Sequence, residues 1–216
     1  MDLRSEVLAR MRADSAAVDA FLAAADSYSK NVASEVPWPY SLLEWTPQED
    51  APEPVRRVLA VVHDNVEWLR GVLAERGWPG RSVVGEDGVD AFWLLLQHAG
   101  SGVPTIGTPA NLSFQASCVP LLQQAVRMGE AHPRHLAHVV DNQRLRTNQP
   151  PEFAVLQTAF ALEDGELVLR PGLDAGTIDD NREQIGLLPV SVDLDRRRAG
   201  NPPDATDGTR PEPWPA

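Results

Sequence analysis

Residues 55–76 read VRRVLAVVHDNVEWLRGVLAER, and this stretch decides the fold. Val55, Val58, Leu59, Val62, Val66, Leu69, Val72 and Leu73 recur every three or four positions. That spacing lines one side of an α-helix with apolar side chains, which a folded chain must bury. Gly77 suits the C-cap, and Pro79 with Gly80 prevents continuation.

Working outward, residues 90–99 predict a short buried helix built on the apolar run Ala91-Phe92-Trp93-Leu94-Leu95-Leu96 and ended by the 100–109 stretch. Gln97 and His98 close that run. Polar groups at the end of a core segment must find partners or open into a cavity, because unpaired burial costs roughly 1–3 kcal/mol per group. Histidine is also the side chain that exchanges a proton near neutral pH.

Upstream, residues 3 to about 25 predict an amphipathic helix through Leu3, Val7, Leu8, Met11, Val18, Phe21 and Leu22. Residues 28–53 hold Pro37, Pro39, Pro47 and Pro52 among Trp38, Tyr40, Leu42, Leu43 and Trp45, which predicts an ordered aromatic loop folded back over the body. Downstream, a helix is predicted over about 112–128, with Pro120 bending it or marking its start. Pro133 suits N1 of a further helix reaching about Arg146. Residues 153–162 and 167–169 predict a β-hairpin around Asp164-Gly165. A short helix is expected over 178–185, capped by Gly186. Residues 196–216 are poor in apolar side chains and predict a disordered tail. The fold class is therefore mainly α (α+β): one helical, bundle-like domain over residues 1–195 with a small β-hairpin.

Composition narrows the function. Lys and Arg number 19 against 31 Asp and Glu, a formal charge of −12 that repels a phosphate backbone and argues against nucleic acid as a partner. The single cysteine, Cys118, excludes an internal disulfide and a thiolate zinc cluster. The N-terminus lacks a signal-peptide pattern and no apolar run approaches the ~20 residues of a membrane span, so a soluble cytoplasmic protein with no membrane partner is expected. Gly-x-Ser-x-Gly, Walker and dinucleotide-binding motifs are absent from the chain, and no cofactor is expected.

Four short patterns follow one another: Gly77-Trp78-Pro79 with Val84-Gly85, Gln97-His98-Ala99, Asp141 with Gln157, and Arg182-x-x-x-Gly186-Leu187-x-Pro189. In this order the chain resembles a bacterial family of unknown function over roughly residues 55–190. Its members carry Gly-Trp-Pro, Gln-His-Ala-Asp, Asp-Arg, Tyr-Gly-Thr-Gln and Arg-x-x-x-Gly-Leu motifs. Here Gly100, Asn142 and Ala154-Val155-Leu156 replace the motif Asp, Arg and Tyr-Gly-Thr. The resemblance implies no substrate. It does join Gln97, His98, Asp141, Gln157 and Arg182 into one expected polar centre.

Chemically, Asp141 would accept from one His98 ring nitrogen and leave the other to move a proton. Gln157 would orient a carbonyl or water, and Arg182 would hold negative charge. Asn65 is expected to face the same cavity, while Trp38, Tyr40 and Trp45 would shape its entrance. The alternative is a buried network in which these groups satisfy one another. The run His132, His135, His138, Asp141 suggests a metal, but three-residue steps drift by about 60° each around a helix, and no metal site is expected. Two readings of function stand. One is a small cofactor-independent acid–base enzyme on a small polar or peptide-like metabolite, catalysing hydrolysis, elimination, cyclisation or isomerisation in a specialised biosynthetic pathway. The other is a non-catalytic binding or immunity-type protein.

Overall fold

The computed structural model of the chain describes residues 2–31, 52–100 and 109–200. Among them are seven helices and one two-stranded antiparallel hairpin. The mainly α class holds, with the small β element where it was expected. Trp38, Tyr40, Trp45 and residues 201–216 lie outside the described residues. Two compact units divide the chain, residues 1–118 and 119–216, and each is taken by itself.

In the first unit, α1 (Leu3–Asn31), α2 (Glu53–Arg76) and α3 (Arg81–Gly100) pack against one another. Helix α1 runs four residues into the stretch predicted as loop. The α2 stripe is buried as its spacing requires, from Val55 to Leu73, and Asn65 is buried with it. Phe92 of α3 is fully buried, with Trp78 edge-on at 5.2 Å between centroids and Trp68 tilted at 5.8 Å. Both tryptophans are half-buried and pack on Phe92 at the edge of the core, at distances favourable for aromatic pairs.

Helix α3 starts earlier than predicted because it is two helical pieces joined at Gly85, whose φ of 73° and ψ of 174° break the ladder. A positive φ with extended ψ is open to glycine and strained for other residues. Gly88 is needed for a different reason: a Cβ there would lie 2.7 Å from Val84 Cβ. Across this bend Arg4 of α1 pairs with Asp87 at 2.7 Å.

Helix α4 (Pro109–Arg127) contributes its first half to this unit and its second to the next. It passes through Pro120 rather than starting there. In the second unit, α5 (Pro133–Arg146) has Pro133 at its first turn and the predicted end. The hairpin is shorter than predicted: β1 (Phe160–Glu163) pairs with β2 (Glu166–Leu169), Phe160 opposite Leu169. Asp164 and Gly165 both take positive φ, 50° and 84°, as a two-residue hairpin turn requires. Residues 153–156, read as strand, are not; a single 3₁₀ turn, Gln157–Ala159, follows them.

Helix α6 (Ala175–Gln184) begins three residues before its predicted start because Asp174 caps it, accepting from Gly176 N. Helix α7 (Val190–Arg198) was not predicted and carries helix into the expected tail. The core of this unit joins Ala154, Phe160, Ile178 and Val190, with Leu167, Leu169 and Leu194 packed against it.

Candidate functional site

The first unit contains a chain of polar contacts running from α1 through α2 to α3. Asp14 lies on the buried side of α1, only 1% exposed. One of its oxygens accepts from Asn65 Nδ2 of α2 at 3.1 Å. The other bonds His98 Nδ1 of α3. Asn65 Oδ1 in turn accepts from Arg10 Nη1 at 3.2 Å, and the same nitrogen reaches Asp64 Oδ2 at 2.6 Å. Arg10 also lies over the Trp68 ring, 4.8 Å from its centroid.

These partners fix the amide and the ring. Arginine only donates, so Asn65 must turn its oxygen to Arg10 and its N–H to Asp14. An ionised Asp14 only accepts, so His98 carries a proton on Nδ1. The neutral ring then presents its lone pair at Nε2. That nitrogen has no hydrogen-bond partner among the described residues, and the His98 side chain is 23% exposed. The arrangement can take a proton at Nε2 and hold the resulting imidazolium against a buried carboxylate. Beside the Asn65 end, α1 and α2 flank an open, shallow groove of about 490 Å³ lined by Glu6, Arg10, Asp64 and Asn65 together with Ala13 and Ala60.

The carboxylate on His98 is thus Asp14, which corrects the expected pairing with Asp141. Asp141 has other work. It is also 1% exposed, and its Oδ1 accepts from Glu152 N and Phe153 N at 2.8 and 2.9 Å, while Oδ2 accepts from Val155 N at 2.9 Å. Burial pushes this carboxyl above its usual range, and the three backbone donors oppose that shift. Arg182 grips the same loop: Nη1 donates to Phe153 O at 2.7 Å and Nε to Leu188 O at 2.5 Å, and Nη2 pairs with Asp193 at 3.0 Å. Gln157 is exposed, with its Oε1 accepting from Arg197 Nη1 at 2.8 Å. Gln97 is buried.

Of the expected centre, the structure therefore brings His98 and Asn65 together through Asp14. In the second unit, Asp141 of α5 and Arg182 of α6 both bond the main chain of the loop at Phe153. Among the described residues no group of three or more His, Cys, Asp or Glu side chains could hold a metal ion. His132 and His135 meet edge to face, 5.1 Å between centroids. Cys118 is buried, donates to Phe114 O at 3.2 Å, and has its thiol pushed up to about 11 by burial. No helix among the described residues is long and apolar enough to cross a membrane.

A family model matches residues 44–197. The chain belongs to DUF6624, a family of unknown function. No curated protein and no solved structure matches it. The DUF6624 region holds His98, Asn65, Asp141 and Arg182, whereas Asp14 and Arg10 precede it. A search confined to the DUF6624 motifs passes over the carboxylate that His98 contacts. One signal for Asp14 was present: it falls at the core-facing spacing of Val7, Met11, Val18 and Phe21.

Proposed function

We propose that this protein is a small acid–base enzyme acting on a small polar metabolite, with His98 as proton carrier and Asp14 as the positioning residue behind it. The observation that carries this reading is the His98 ring itself, held at Nδ1 by a buried carboxylate and unpartnered at Nε2 among the described residues. Nε2 would withdraw a proton from substrate or water. Asp14 would stabilise the imidazolium without itself becoming protonated, and Nε2 would return the proton to the leaving group or to a neighbouring carbon. Asn65 and Arg10 keep Asp14 from turning. Such a cycle serves hydrolysis, elimination, cyclisation or isomerisation, including on peptide-like substrates.

The rival reading, a binding or immunity-type protein, expects polar residues that saturate one another. That describes Asp141 and Arg182; it does not describe His98. The test is turnover. A pooled metabolite library is incubated with the wild type and with His98→Gln, and loss of each compound is followed by mass spectrometry. A compound consumed by the wild type and spared by a folded His98→Gln supports the proposal. Equal consumption by both proteins sinks it.

A further inference from the structure

The second unit contains a groove of about 420 Å³, within the ~300–1,000 Å³ typical of small-molecule sites. Leu145, Pro150, Pro151, Leu156 and Leu173 give it apolar walls, and Arg170 lines it as its cation. Arg170 is held in place from one side only. Its Nε donates to Thr158 O at 3.0 Å and its main-chain N to Ala159 O at 2.8 Å. Nη1 and Nη2 have no partner among the described residues. Those two nitrogens present parallel N–H groups at the spacing of carboxylate oxygens, and the guanidinium does not lose its charge. Asp141 also lines the groove, but both of its oxygens are occupied by backbone N–H groups, so the charged group with hydrogen-bonding capacity left on this groove is the exposed Arg170.

We propose that this groove binds a small amphipathic carboxylate. Nη1 and Nη2 of Arg170 take the two carboxylate oxygens, and Leu145, Leu156 and Leu173 cover an aliphatic or aromatic body. The proposal is independent of the role given to His98, because it concerns binding alone and none of its residues belongs to the His98 network.

The test is a titration of the ¹⁵N-labelled full chain, followed by NMR, with octanoate, its neutral amide octanamide, and inorganic phosphate. Octanoate is expected to shift the Arg170 Nε–H signal and the Leu156 and Leu173 amides saturably, with a Kd of about 1 mM or below. Octanamide should bind at least about tenfold more weakly, as should octanoate to Arg170→Gln, because each loses the charge-assisted pair. Arg170→Lys keeps the charge without the fork and should fall between. Leu145→Ser, at an exposed wall position, should weaken octanoate by removing apolar cover. The proposal is overturned if octanoate gives no saturable shift up to about 10 mM. It is equally overturned if octanamide binds as well as octanoate, if both Arg170 variants bind like the wild type, or if phosphate competes on equal terms.

Discussion

Asp14 and Asp141 are buried to the same extent, yet they are used in opposite ways. Asp141 spends its oxygens on three backbone N–H groups of one loop. Asp14 spends its oxygens on two side chains from two other helices, Asn65 and His98. A carboxylate bound by main chain shapes main chain. A carboxylate bound by a titratable ring controls which ring nitrogen carries the proton. Burial and charge do not distinguish the two; the identity of the donors does.

The sharpest way to break this comparison is Asp141→Ala. It strands buried N–H groups of Phe153 and Val155, and a loss of about 4 kcal/mol in urea denaturation is expected. Arg182→Met should follow at about 3 kcal/mol, because Asp193 is left buried beside an uncharged side chain. A variant of either kind as stable as the wild type would remove the structural role assigned to the 152–156 loop.

Asp14→Asn should cost only about 1 kcal/mol, since the amide retains an acceptor for Asn65. Its consequence lies elsewhere. The new Nδ2 group would donate to His98 Nδ1, forcing the proton to Nε2. ¹⁵N NMR of the imidazole should report the exchanged tautomer, and turnover of any substrate found should fall roughly a hundredfold or more. An unchanged tautomer would refute the contact.

The smallest effect is in the pH dependence. Asp141 has a folded pKa raised by burial, so between its ordinary and its raised value the folded state holds a proton that the unfolded state has lost. Its contribution to stability is therefore full below the ordinary Asp value and declines as pH rises through the raised one. Asp141→Asn lacks this decline. Stability measured against pH for the two proteins should diverge in that window, and parallel curves would contradict the direction of the shift.

Where apolar spacing or backbone-restricted residues dominate, the fold was legible: α2 follows from its stripe, the start of α5 from Pro133, and the hairpin turn from Asp164-Gly165. Where polar groups replace it, legibility fails. Residues 153–156 form a continuous apolar run like a buried strand, but the N–H groups of Phe153 and Val155 go to Asp141, and the carbonyls of Phe153 and Val155 go to Arg182 and Arg197. Ala154 between them takes a positive φ of 51°, outside the strand region. Helix α7 has no apolar stripe to read: its buried residues are Val190 and Asp193, and the second is held by an ion pair rather than by hydrophobicity. The site divided along the same line. His98 and Asn65 stand out as polar residues on apolar faces. Asp14 occupies such a face too, but an apolar count treats it as a gap, and its partner lies 84 residues away.

Cys118 leaves the rest of the surface open to selective labelling. The chain has one thiol, and burial with a pKa near 11 leaves almost none of it as thiolate at neutral pH. The wild-type sequence is therefore already a quiet background for thiol chemistry. A cysteine introduced at exposed Ala60, on the wall of the α1–α2 groove, would carry a maleimide fluorophore with little competition. Entry of a molecule beside Asn65 could then be read as a change in emission before any substrate is known.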